Sequence, residues 1–92
     1  MRAVVAKRVE RGDADLSEIE DLARAAGYEV VGELTQTREE DAAYAFGEGK
    51  VEELAVLTER VDADAVIVDN RLGPYQTYNI GGKLPESVEV VD

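Results

Sequence analysis

Two segments carry residue types at a spacing that could hold a phosphate or a base. The first is Tyr44-Ala45-Phe46-Gly47-Glu48-Gly49-Lys50. Glycines ahead of a helix can bare backbone amides to an anion, and Lys50 stands between loop and helix. The match stops there. A Walker A loop needs a glycine where Tyr44 stands and a hydroxyl residue where Val51 stands, and GxGxxG spacing is absent. Glu48, Glu52 and Glu53 suit the positive end of a helix dipole but repel phosphate. The plain reading is a glycine turn into a helix whose dipole its own glutamates answer.

The second segment is Asp69-Asn70-Arg71-Leu72-Gly73-Pro74-Tyr75-Gln76. Asp69 closes an apolar run, a position where α/β enzymes often keep a catalytic or metal-binding carboxylate. Asp and Asn also favour the turn itself through local backbone bonds. Arg71 could pair with Asp69 or reach a phosphate. Tyr75 and Tyr78 lie three apart on one helix face, which is more often a packed pair than a stacking platform for a base. Elsewhere, Asp13 and Asp15, and Glu39, Glu40 and Asp41, cluster without the spacing of a calcium-binding loop. Chance clusters are expected at this acidity, so neither a metal site nor a catalytic residue is assigned.

Composition narrows the chemistry further. The chain has 92 residues and neither cysteine nor histidine. That excludes disulfides, thiolate or imidazole metal sites, and Ser-His-Asp or Cys-His catalysis. Its length fits a single domain spanning 1–92, with no room for an interdomain cleft. With 21 acidic and 10 basic residues the net charge is −11, which argues against ordinary low-salt binding of DNA or RNA. Only three basic residues are lysine (Lys7, Lys50, Lys83), phenylalanine occurs once and tryptophan never. Acid excess, scarce lysine and a light core resemble adaptation to molar salt, where a Debye length of about 3 Å mutes carboxylate repulsion. Regular apolar runs oppose the alternative of disorder. No run approaches the roughly 20 apolar residues of a membrane span, and no signal-peptide pattern opens the chain. A soluble, cytoplasmic protein is expected.

The elements that must position these segments alternate. Residues 2–9, with Ala3 to Ala6 apolar, read as a strand buried on both faces. Asp15 is placed to cap a helix over 16–26, with Glu18 as its capping-box partner. Leu16, Ile19, Leu22, Ala23 and Ala26 form its apolar stripe, and Gly27 ends it. A strand follows over 28–36, then a polar connection over 37–50, long enough to be functional or mobile. A second helix is expected over 51–61, a buried strand over 65–69, and a short helix from Pro74 to about Ile80, broken by Gly81 and Gly82. A fourth strand covers 88–91. The order βαβαβαβ predicts an α/β fold: a four-stranded, mostly parallel sheet flanked by helices, half-Rossmann-like. Ligands of such sheets gather beyond the carboxyl ends of the strands, where 10–15, 37–50 and 70–74 must lie. Ending at Asp92, straight after a strand, fits either a natural terminus or a cut at a domain boundary.

The run Gly47-Glu48-Gly49-Lys50-Val51-Glu52-Glu53-Leu54, followed by Ala65-Val66-Ile67-Val68 and the turn Asp69 to Gln76, resembles the N-terminal domain of HflX-type GTPases. That family has a G-[KS]-G-K-[VL]-x-E-L element before its second helix and a D-[DN]-x-L-[ST]-P-x-Q turn after a strand. Helix 16–26 with Gly27 to Gly32, and Val88 to Asp92, resemble further family elements in order, so the likeness covers essentially the whole chain. Two residues depart: Glu48 stands where lysine is frequent, and Gly73 where Ser or Thr is usual. Both departures weaken a phosphate or hydroxyl-cap role at those loops.

The resemblance implies the first subdomain of a larger GTP-binding protein, of the kind found in a salt-loving archaeon. The G domain, with GTP and magnesium, lies downstream in that family. It also implies work at the large ribosomal subunit and packing against the downstream G domain, with no enzyme activity of this segment alone. Expected partner contacts are Tyr44, Phe46, Gly47, Gly49 and Lys50 on the first loop, and Asn70, Arg71, Tyr75 and Gln76 on the second; no membrane or DNA partner is expected. The alternative is a small ATP- or nucleotide-binding domain with Gly47, Gly49, Lys50 and Arg71 around the phosphates and Tyr75 or Tyr78 on the base. A third reading is a free-standing α/β protein with unrelated partners.

Overall fold

The computed structural model describes residues 1–92. Seven elements follow one another: β1 Arg2–Val9, α1 Ser17–Ala25, β2 Glu29–Thr37, α2 Glu48–Arg60, β3 Ala65–Val68, α3 Pro74–Lys83 and β4 Glu89–Val91. The strands form one sheet in the order β2-β1-β3-β4, every pair parallel. The alternating pattern therefore gives the expected α/β sheet. β1 and β3 take the centre because their apolar runs, Ala3 to Ala6 and Ala65 to Val68, are buried throughout.

One face of the sheet is covered by α1, where Ala3, Val5 and Ile67 pack with Leu16 and Ala23. The opposite face, under α2 and α3, holds the larger core, including Val4, Ala6, Phe46, Leu54, Val66, Val68 and Ile80. The edge strand β2 slips by one residue between Ala3↔Val30 and Val4↔Gly32. Val31 is the extra residue, so Leu34 turns toward α2 while Glu33 turns toward α1. A bulge also blunts an otherwise open edge.

Element ends differ from expectation in instructive ways. Leu16, not Asp15, is the residue at the N-terminus of α1. Asp15 still works there: its Oδ1 accepts the N–H and the hydroxyl of Ser17 at 2.9 and 2.7 Å. Glu18 makes no return bond, so the capping box is not formed. Leu22 is 57% exposed and Ala26 is exposed, because α1 leans on Leu16, Ile19 and Ala23 alone. Gly27 has φ +93° and closes a Schellman motif, with Tyr28 N–H bonded to Ala23 O and Gly27 N–H to Arg24 O.

Helix α2 starts at Glu48, three residues earlier than predicted, so Gly49 and Lys50 belong to its first turn. Helix α3 runs through Gly81 and Gly82 to Lys83 instead of breaking there. Burial of Ile80 and Leu84 on either side of the glycines holds that last turn down. No helix is long and apolar enough to cross a membrane.

Candidate functional site

The carboxyl edge of the sheet gathers the segments singled out by their chemistry, and the chain fills that edge itself. The strand order places the reversal point between β1 and β3, where open α/β sheets normally bind ligands. Asn70 bridges it. Its Nδ2 donates to Arg8 O, and its Oδ1 accepts from Arg8 N, both at 2.8 Å. The side-chain amide thus stands in for one more peptide of the ladder. Beside it, Lys7 Nζ pairs with Asp69 Oδ2 at 3.1 Å. Asp69 therefore answers Lys7 and not Arg71.

The Arg8 guanidinium seals the other face. Its side chain is 10% exposed, lies 3.6 and 3.8 Å from Glu10 and Glu40, and donates to Arg38 O at 3.0 Å. Glu40 continues the chain of contacts to Gln76, whose Nε2 donates to Glu40 Oε2 at 2.7 Å and to Asp41 O at 3.2 Å. Asn79 adds a bond from Nδ2 to Ala43 O. The second predicted loop and the first are tied together by these amides.

The approaches to all three helix N-termini at this edge are bonded from within, at the first residue of α1 and just ahead of the first turn in α2 and α3. At α1, the Ser17 N–H points at Asp15, and the bonds from Ser17 hold that carboxyl below the usual carboxylate range. At α2, Gly47 N–H goes to Gln36 Oε1 at 2.8 Å, and Glu48 sits in the first turn. At α3, Gly73 N–H goes to Gln76 Oε1, and Leu72 N–H goes to the Asp92 carboxylate, each at 3.0 Å. At two of the three, α1 and α3, a carboxylate stands beside the helix start and repels a phosphate.

The long connection is not a loose polar loop. Asp41 Oδ2 accepts from Ala43 N and Tyr44 N at 3.0 and 2.9 Å, and Asp41 and Ala45 exchange backbone bonds. Ala45 takes φ +65° to turn the chain inward. Phe46 follows into the core with no accessible surface, which corrects its expected place on a contact surface. Gly47 is buried next to it, and a Cβ there would lie 2.6 Å from Arg38 Nη1. Gln76 is buried as well. These three residues hold the loops in place from inside.

The remaining predicted residues divide. Lys50 lines a groove of about 650 Å3 between β2 and α2, with Glu33, Glu52 and Arg60, and pairs with Glu53 at 3.0 Å. Gly49 borders the same groove. Arg71 is exposed, forms no ion pair, and borders a separate depression of about 620 Å3 with Glu40, Pro74 and Tyr75. Lys50 and Arg71 thus do not converge on one ligand. Tyr44 is half-buried, with the Lys83 ammonium 5.9 Å from its ring centre. Lys83 also bonds Glu48 at 3.2 Å, which raises its pKa. Tyr75 and Tyr78 are 68% and 79% exposed, so the packed-pair reading does not hold. No three carboxylates converge on a metal-sized site. Sequence reasoning missed Arg8, Gln36, Asn79 and Asp92; their partners lie far away in the chain, where no local pattern reaches.

An α/β domain of this order, with its ligand edge closed by its own side chains, matches a family described as GTP-binding GTPase N-terminal, over residues 13–92. The chain belongs to that family. It is 42% identical over 93 residues to GTPase HflX of Thermococcus kodakarensis, covering 100% of this chain and 21% of the relative. It is 45% identical over 91 residues to GTPase HflX of Thermofilum pendens, covering 97% of this chain and 21% of the relative. The chain thus spans about a fifth of the length of the curated relatives it matches. Among solved structures, a variant of SsGBP superposes with TM-score 0.74 at 16% identity, over 98% of this chain and 28% of that one. The C-terminal catalytic domain of ISC1926 TnpA, an IS607-like serine recombinase, gives 0.66 at 22% identity, over 98% and 68%. At such identities the likeness is one of fold.

Proposed function

We propose that this chain is the interaction domain of an HflX-type GTPase, acting on a downstream G domain and contributing to association with the large ribosomal subunit. Hydrolysis of GTP, with its magnesium, belongs to that G domain, and this segment is not an enzyme by itself. The observation that carries the reading is the occupancy of the sheet's carboxyl edge. The residues here do not fit a nucleotide: Asp15 and Asp92 place carboxylates beside the starts of α1 and α3, Glu48 adds negative charge to the first turn of α2, and Lys50 and Arg71 face different depressions. That is why the nucleotide-binding alternative is not favoured. What the domain leaves outside is suited to macromolecular contact, namely Arg71 without an ion pair and two exposed tyrosines.

The −11 charge opposes an RNA partner in dilute buffer. In molar salt the repulsion is screened to about 3 Å, and shape, hydrogen bonding and stacking carry such a contact. The test is co-sedimentation of the full-length protein with purified large ribosomal subunits in molar KCl, with Lys50→Glu and Arg71→Glu as separate variants. Pelleting that Arg71→Glu reduces supports the edge near α3, and loss with Lys50→Glu supports the β2–α2 groove. Pelleting unchanged by both variants removes the ribosome contact from these loops.

A further inference from the structure

Helix α3 has a face that the domain's own packing does not use. Gln76 and Ile80 point inward and are buried. The opposite side carries Tyr75, Tyr78 and Gly82. Steps of three and four put them on one stripe, the spacing of a seam between two helices. Both tyrosines are more than two-thirds exposed, each offering a large apolar ring to solvent.

Gly82 is the less expected member. Glycine in a helix interior is less stable than alanine. A Cβ at 82, like one at 81, meets nothing within 4 Å, and neither residue has a left-handed backbone. Nothing inside the domain therefore requires glycine there. The missing side chains open a depression of about 510 Å3 bordered by Tyr44, Tyr78, Asn79 and Lys83. Two rings beside a bare stretch of backbone form a seat into which another helix can come close.

We propose that this seat is taken by a helix of the same polypeptide from beyond Asp92. The inference rests on the reading of the chain as one domain of a longer GTPase, and it names the surface through which the rest of that protein is held. Relatives extend to about five times this length, since the chain covers 21% of them. Asp92 is fastened next to α3, its Oδ2 accepting Leu72 N–H at 3.0 Å. A continuing chain leaves three residues before Tyr75, at the head of the stripe.

The experiment is tyrosine nitration by tetranitromethane in the full-length protein, mapped by peptide mass spectrometry. Tyr75 and Tyr78 are expected to react about tenfold more slowly than a free tyrosine amide, as docked residues do when only a minor open state reacts. Gly82→Leu, whose Cβ meets nothing within 4 Å in the domain itself, is expected to restore fast reaction at both. Leu22→Ser on α1, across the sheet, is expected to leave the protection intact. Fast nitration in the unaltered protein overturns the proposal, as does protection insensitive to Gly82→Leu. Protection that fades on dilution points to a second copy and also overturns it. Subunit pelleting measured on the same samples separates the two readings. Free tyrosines with intact pelleting sink only this inference, whereas protected tyrosines without pelleting sink only the ribosome role.

Discussion

Asn70 and Arg8, 62 residues apart, are joined by two hydrogen bonds of 2.8 Å between the Asn70 amide and both backbone groups of Arg8. This pair closes the point where a nucleotide would enter a sheet of this order. Asn70→Ala removes both bonds and leaves a half-buried N–H and C=O without partners. A loss of about 2–3 kcal/mol in urea unfolding is expected. Asn70→Asp keeps the acceptor but sets a carboxylate oxygen against the Arg8 carbonyl, so it is expected to be destabilising too. Stability unchanged by either substitution would show that Asn70 faces outward after all.

Phe46 lies in the core under α2 and α3, although it belongs to the long, largely polar connection between β2 and α2. Phe46→Ala is expected to cost about 3–5 kcal/mol, the usual price of a large cavity. A surface aromatic would change stability by less than about 0.5 kcal/mol, and thermal unfolding distinguishes the two.

Much of this architecture is legible residue by residue. The buried runs Ala3 to Ala6 and Ala65 to Val68 announce central parallel strands because nothing polar interrupts them. Gly27 marks a helix end because only its φ of +93° lets the chain turn there without strain. The early start of α2 is hidden, since Gly47-Glu48-Gly49 has the composition of a turn. A helix N-terminus tolerates glycine well, and the bond from Gln36 supplies what the local residues lack. The continuation of α3 through Gly81 and Gly82 is likewise settled by packing around Ile80 and Leu84, not by propensity.

The site was harder to read than the fold. The two loops are the right places, but local rules assign Asn70 to a turn and leave Arg8 and Asp92 unremarked. Their bonds connect opposite ends of the chain, and only the folded sheet brings them together.

Glu33 and Glu20 face each other between β2 and α1. The hydrogen bond from Glu20, together with burial, raises the Glu33 pKa, while Arg24 opposes the rise. With the folded value above the unfolded one, the native state holds a proton that the unfolded chain has released. Stability therefore falls as pH climbs through that range. Glu33→Gln is expected to stabilise the neutral-pH protein by up to about 0.5 kcal/mol, given the exposure of Glu33. The gain disappears below about pH 4, where the unfolded carboxyl is protonated as well. Molar KCl shrinks it further. A variant that is less stable at neutral pH contradicts this assignment.

The claim that the ligand edge is closed by the chain itself is tested most directly by equilibrium dialysis of this 92-residue chain against labelled ATP and GTP. No saturable binding is expected up to about 1 mM, a concentration that reveals affinities down to about −4 kcal/mol. Saturable binding abolished by Lys50→Ala or Arg71→Ala would contradict the account and return the edge to a nucleotide.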